Sequence, residues 1–203
     1  MKIKVCGIFR DEDIDYVNEG RPDYIGFVFA VSKRRVLPKQ ASRLRRKLES
    51  GIVSVGVFVN APAAEIAALF RDGIISIAQL HGGEDGQYIR QLKELCSIPV
   101  IKTISVDEVA NNSSPIPDYY LIDPGAGSGR TFDWEILRQL KTDKPWFLAG
   151  GINPDNIGAA MALEPFCIDV SSGAETNDVK DRKKILQLTA VVRQHGLKGS
   201  KNE

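Results

Sequence analysis

The sequence predicts an α/β chain of eight strand–helix units, closed into a single-domain (β/α)8 barrel. Short apolar runs alternate with longer stretches of helical spacing from end to end, which is the pattern of a parallel sheet covered by helices. No GxGxxG follows the first run, and this counts against the alternative, an open dinucleotide-binding sheet. The polar residues suited to chemistry fall at the C-terminal ends of the runs, where a barrel collects its site. At 203 residues the chain is short for this fold but long enough for one substantial core. No linker divides it, and about 197–203 reads as a polar tail.

The first strand is Lys2–Cys6, with Ile3 and Val5 on one face and Lys4 and Cys6 on the other. Gly7 lets the chain turn away. Asp11–Asn18 reads as a helix, with Ile14 and Val17 as its apolar stripe and Gly20 as its stop. Tyr24–Phe29 is an uninterrupted apolar run, typical of a strand buried on both faces. A basic loop follows over Val31–Leu37, and Pro38 opens a second helix to about Leu48. Val53–Val59 is the third strand, and Pro62 to Arg71 the helix after it. Ile75–Leu80 is the fourth strand, ending in His81-Gly82, and Glu84–Leu95 its helix. Pro99–Ile104 is the fifth strand.

Ser105–Pro117 is rich in breakers, so the fifth helix is expected to be degraded. Tyr119–Asp123 is the sixth strand, followed by a glycine-rich loop and a helix over Asp133–Leu140. Pro145–Ala149 is the seventh, ending in Gly150-Gly151. Asn153 reads as an N-cap with Pro154 at N1, opening a helix to about Leu163. Phe166–Val170 is the eighth, ending in Ser171-Ser172-Gly173, and a last helix spans about Asp181 to Gln194.

Charges balance to a formal +1, which gives no general attraction to nucleic acid or to an anionic membrane. No apolar run reaches the ~18 residues of a membrane span, and the first residues lack the layout of a secretion signal. Three cysteines, without CxxC or histidine-rich spacing, suggest a reduced cytoplasmic protein with no structural metal.

Cys6 ends the first strand beside a turn, a position suited to chemistry, although free cysteines are more often small buried apolar residues. Asp123 ends the sixth strand. Its carboxyl is a general acid if burial keeps it protonated, and otherwise a cap or ion-pair partner. The pair sits on strands one and six, across the barrel from each other. Gly150, Gly151, Ser172 and Gly173 lie in the loops after strands seven and eight, where barrels hold phosphate on backbone N–H groups and a helix N-terminus. Arg34, in a basic loop expected to be mobile, can grip a carboxylate through two parallel hydrogen bonds. Asp169 binds a sugar hydroxyl or pairs with a lysine. His81 is a ligand contact or a structural histidine, and His195 near the tail is expected to be exposed and inert. Lys4, on the Cys6 face, is expected to help the thiol ionise.

These residues fall in a series of motifs: KVCGI (4–8), GFVF with SKR (26–34), GVFVN (56–60), QLHG (79–82), LID with GSGRTFDW (121–134), AGGINPDN (149–156), and DVSSGAE with KD (169–181). With these the chain resembles the phosphoribosylanthranilate isomerase family of tryptophan biosynthesis over nearly its whole length. The resemblance implies a TIM barrel that carries out an Amadori rearrangement. N-(5′-phosphoribosyl)anthranilate would become 1-(2-carboxyphenylamino)-1-deoxyribulose 5-phosphate.

By motif, Asp123 would be the general acid that opens the ring. Cys6 would be the base that takes the C2′ proton. Arg34 would hold the anthranilate carboxylate, and the two late loops the 5′-phosphate. No metal or organic cofactor is expected, since the substrate nitrogen forms the Schiff base that accepts the electrons. The only expected partner besides a second copy of the chain is the phosphosugar, so the protein would be a monomer or homodimer. The chain departs from the family pattern where GVKD is usual, reading Asp178-Val179-Lys180-Asp181. Two other functions remain possible: a barrel that also accepts the histidine-pathway aminoaldose, and a phosphosugar-binding barrel without catalysis.

Overall fold

In this computed structural model the described residues are 1–105, 116–123, 137–138, 142 and 144–199, with backbone alone for 196–199. Eight parallel strands close into a barrel in sequence order: β1 (Lys2–Cys6), β2 (Tyr24–Val28), β3 (Val53–Phe58), β4 (Ile77–Leu80), β5 (Val100–Ile104), β6 (Tyr119–Ile122), β7 (Trp146–Leu148) and β8 (Cys167–Val170). β8 returns to pair with β1, with Lys4 opposite Asp169. The helices on the outside are α1 (Asp11–Gly20), α2 (Pro38–Lys47), α3 (Ala63–Arg71), α4 (Gly86–Leu95), α5 (Ile157–Met161) and α6 (Arg182–Gly199).

The period-two division of β1 decides which side of the barrel each residue sees. Ile3 and Val5 pack outward in the shell under the helices, with Ile14, Val17, Ile185 and Leu188. Each such side chain, fully buried, contributes about 1.5–3 kcal/mol. Lys4 and Cys6 face the lumen. So do Tyr24, Val55, Ile77, Ile101, Leu121, Phe147 and Cys167, which form a separate inner cluster. The lumen is closed at the N-terminal end by rings. Phe147 lies 5.6 Å from Tyr24, 5.7 Å from Tyr119 and 5.7 Å from Phe166. Lys2 Nζ sits 5.3 Å from the Tyr24 ring and 5.4 Å from that of Phe166.

Most elements fall within a residue or two of their predicted bounds. Two helices depart further, the first being α5 after β7. It starts at Ile157 rather than Pro154 and has five residues. Asn153 Oδ1 accepts from Asp155 N at 2.9 Å, and Asn156 Oδ1 accepts from Asn153 N at 2.8 Å. These side chains satisfy the backbone in a turn and compete with the helix. The last helix runs on to Gly199, into the stretch expected to be tail. The degraded fifth helix and the glycine-rich loop lie outside the described residues. Of the Asp133–Leu140 helix only Leu137 and Arg138 are described, in a 3-10 turn.

A feature unseen in the sequence follows β8. A 3-10 turn, Ser172–Ala174, leads into a small antiparallel hairpin, β9 (Glu175–Thr176) with β10 (Val179–Lys180). Its two-residue turn holds Asn177 at φ 51° and Asp178 at φ 64°, a left-handed pair that favours Asn-Gly. Position 178 is where the family pattern has glycine. Asp178→Gly is therefore expected to raise the melting temperature by about 1–2 °C, corresponding to a net gain of about 0.5 kcal/mol. That net allows for losing the exposed Lys33–Asp178 pair. A melting temperature at or below wild type would show that this turn is unstrained.

Candidate active site

The C-terminal ends of the strands surround a cleft of about 430 Å³. Cys6, Arg34, His81, Asp123, Gly150, Gly151, Asp169 and Ser172 all line it, so eight of the nine predicted site residues converge. The ninth, Gly173, is not among the lining residues. A Cβ there would sit 1.9 Å from the Ile152 carbonyl oxygen and 2.8 Å from Asn153 Cα. Gly173 thus lets the loop after β8 close against the loop after β7. Asn60, at the end of β3, serves the scaffold: its N–H donates to Glu84 Oε1 at 2.6 Å and its Oδ1 accepts from Gly83 N at 2.9 Å.

Cys6 is 8 % exposed. Its neighbour across the β1–β2 ladder is Gly26, where a Cβ would come 2.6 Å from the thiol sulfur. A side chain at 26 would occupy the space of the sulfur. Burial pushes the Cys6 thiol above its ordinary pKa, Lys4 pulls it back, Asp169 pushes it up again, and Lys180 lowers it slightly. Lys4 therefore acts in the expected direction, favouring the thiolate, but the net shift is upward. Desolvation outweighs the lysine, part of whose charge is spent on Asp169.

That lysine is fully buried and donates to Asp169 Oδ2 at 2.8 Å. Burial alone would lower the Lys4 pKa, but Asp169, with help from Cys6, holds it above the ordinary lysine value. Of the two possibilities for Asp169, the lysine pair is thus formed. Its other oxygen, Oδ1, is buried with no hydrogen-bond partner among the described residues, and Gln79 Oε1 is in the same state. Both residues line the cleft.

His81 Nδ1 lies 2.9 Å from Thr103 Oγ1 and 3.4 Å from Gln79 Nε2. With the Gln79 amide nitrogen assigned to this side it can only donate, and that assignment makes Nδ1 the acceptor and puts the proton on Nε2. Burial lowers the His81 pKa, and Asp123 raises it in part, so the ring is neutral near pH 7. His81 is both a cleft-lining residue and a held one.

The basic loop is tied down rather than free-standing. Arg34 Nε and Nη2 donate to the two oxygens of Glu175, each at 2.6 Å. Lys33 pairs with Asp178. The Arg34 stem crosses Gly7, whose φ is 84°, and a Cβ on Gly7 would come 2.4 Å from Arg34 Cδ. Neither Glu175 nor Lys180 was legible as part of the site, because the hairpin that carries them leaves little trace in hydrophobic periodicity. Gln79 had a signal: it lies two residues before His81, on the same strand face.

Among the described residues, no group of three or more His, Cys, Asp or Glu side chains could hold a metal ion. Nor is any helix among them long and apolar enough to cross a membrane.

The sequence matches known proteins along nearly its whole length. The family described as N-(5'phosphoribosyl)anthranilate (PRA) isomerase matches residues 3–191. An N-(5'-phosphoribosyl)anthranilate isomerase from Endomicrobium trichonymphae is 45% identical over 198 residues, covering 95% of this chain and 98% of the relative. The crystal structure of the phosphoribosyl anthranilate isomerase from Thermus thermophilus superposes with a TM-score of 0.84 at 30% identity, covering 96% of this chain and 99% of that one. A phosphoribosyl anthranilate isomerase solved with reduced 1-(o-carboxyphenylamino)-1-deoxyribulose 5-phosphate superposes with a TM-score of 0.82 at 32% identity, over 96% and 99% of the two chains. With fold, motif order and the polar end of the barrel in agreement, the chain belongs to the N-(5'-phosphoribosyl)anthranilate isomerase family.

Proposed function

We propose that the cleft carries out the family's Amadori rearrangement of N-(5′-phosphoribosyl)anthranilate, with Asp123 as general acid and Cys6 as general base. The observation that carries this reading is that both side chains, from β6 and β1, line one cleft together with Arg34 and the two late loops. Asp123 gives its proton to the ribose ring oxygen as the C1′–O bond breaks, and the nitrogen lone pair forms the C1′=N iminium. The Cys6 thiolate takes the C2′ proton, and the C–H electron pair moves toward the iminium to leave a neutral enolamine. Loss of the enol O–H proton and protonation at C1′ then give the aminoketose. The proton count of substrate and product is the same, so acid and base are restored without a net change.

The remaining groups bind. Arg34 holds the anthranilate carboxylate, and its guanidinium keeps three N–H donors beyond the two given to Glu175. Gly150, Gly151 and Ser172 present backbone and hydroxyl donors to the 5′-phosphate, with Gly173 allowing the two loops to meet. The orphaned acceptors Asp169 Oδ1 and Gln79 Oε1 suit sugar hydroxyl donors, because a buried acceptor left unpaired costs about 1–3 kcal/mol. His81 offers its Nε2–H as a neutral donor.

The test is turnover of freshly prepared phosphoribosylanthranilate, followed by loss of its fluorescence and identification of the aminoketose. Rapid conversion by the folded protein is expected. Binding of the phosphosugar without conversion would replace this reading by that of a non-catalytic phosphosugar-binding barrel.

A further inference from the structure

Glu175 stands between three cationic side chains. It is 6 % exposed, at the start of the hairpin that follows β8. Besides its two bonds to Arg34, its Oε1 accepts from Lys180 Nζ at 2.5 Å. Lys180 lies directly opposite in the hairpin and also donates to the Ser171 carbonyl at 3.1 Å. The backbone under the pair is fixed as well. Lys184 Nζ donates to the Glu175 carbonyl at 2.6 Å, and Arg10 Nη2 to that of Lys180 at 3.1 Å. A carboxylate so buried and shared is not one that a substrate carboxylate displaces.

β1 lies between β2 and β8 in the barrel. Arg34 comes from the loop after β2 and Glu175 from the segment after β8, so their ion pair spans the C-terminal end of β1, just past Cys6. An arginine side chain has four rotatable bonds, and unanchored it would lose about 2 kcal/mol of rotamer entropy on binding a ligand. Here that ordering is done before ligand arrives. Glu175 takes the Nε/Nη2 edge, which leaves the Nη1/Nη2 edge, itself a two-toothed match for a carboxylate.

We propose that Glu175, steadied by Lys180, is a positioning residue that aims the second edge of Arg34 at the substrate's carboxylate and so sets the enzyme's preference for a carboxylated aryl group. This rests on the reading of Arg34 as the carboxylate clamp. The test uses the full-length protein and two probes: reduced 1-(o-carboxyphenylamino)-1-deoxyribulose 5-phosphate and the same compound without its carboxylate. Dissociation constants are measured for wild type, Glu175→Gln, Lys180→Met and Arg34→Gln, with folding checked by circular dichroism.

Glu175→Gln is expected to weaken the carboxylated probe by about 10- to 100-fold, the scale of a misplaced binding group. The carboxylate-free probe should change less than about threefold, the scatter expected of a merely indirect effect. Lys180→Met should show the same selectivity with a smaller factor, and it carries the test if Glu175→Gln does not fold. Equal weakening of both probes, or of neither, would overturn the proposal. If Arg34→Gln fails to distinguish the probes, the clamp reading itself falls, and this inference with it.

Discussion

Cys6→Ser and Asp123→Asn are each expected to lower kcat by about a hundredfold to ten-thousandfold, the usual contribution of a positioned acid or base. Both changes nearly preserve shape. The serine hydroxyl fits the space that Gly26 leaves for sulfur, so folding and binding of the reduced product analogue should survive. Steady-state turnover beside an affinity measurement checks this, and a variant that keeps near-wild-type kcat would remove its residue from the mechanism.

The pH behaviour provides a second check. The thiol pKa is raised by burial, so alkylation of Cys6 by iodoacetamide should climb about tenfold per pH unit through neutrality, in step with the thiolate fraction. Turnover should not follow it. The working form has Asp123 protonated and Cys6 ionised. The opposite arrangement carries the same number of protons, so the balance between the two does not change with pH. kcat/KM is therefore expected to be flat between the two macroscopic pKa values while alkylation rises. A kcat/KM that rises in parallel with alkylation would show that the acid does not need its proton.

Lys4→Met is expected to cost about 3–5 kcal/mol of folding stability, as when one partner of a buried ion pair is deleted. Lys4 is fully buried and ion-paired with Asp169, whose second oxygen has no hydrogen-bond partner among the described residues. The lost lysine would leave a carboxylate in the lumen with neither oxygen paired. Urea unfolding measures the loss, and Lys4→Met/Asp169→Leu should recover most of it, since an apolar pair of similar volume carries no stranded charge.

The sign with pH follows from the raised lysine pKa. A proton held more tightly in the folded state stabilises it fully below the ordinary value of 10.5 and is lost only as pH rises through the folded value. The wild-type advantage over Lys4→Met should thus persist at neutrality and shrink in strong alkali. A Lys4→Met protein as stable as wild type would mean that Asp169 is solvated in the folded state.

Alternating strands and helices were legible because burial on one face or two imposes its own period on a chain. Alternation in KIKVC assigned Lys4 and Cys6 to one side, and that side proved to be the lumen. Eight of nine site residues could be placed because function at strand ends is marked by polar residues interrupting apolar runs. Three things were not legible, each for a physical reason. The start of the helix at Ile157 depends on Asn153 and Asn156 bonding to nearby backbone, which the same residues could equally have done as caps. The hairpin carrying Glu175 and Lys180 has only two residues per strand, too few for a period to appear. The ionisation of Cys6 is set by the balance of desolvation against Lys4 on its own strand and Asp169 and Lys180 from two other segments, and only the folded chain brings those together.

The ring-lined floor made by Tyr24, Tyr119, Phe147 and Phe166 makes the barrel a blind sac. Among the described residues, the cleft at the C-terminal end is the way in and out. A molecule that has reacted must leave by the route its successor uses, so the two compete for the same opening and their visits are strictly sequential. Handing a product through the barrel axis to a waiting enzyme is sterically barred, and any such relay would have to dock at the mouth.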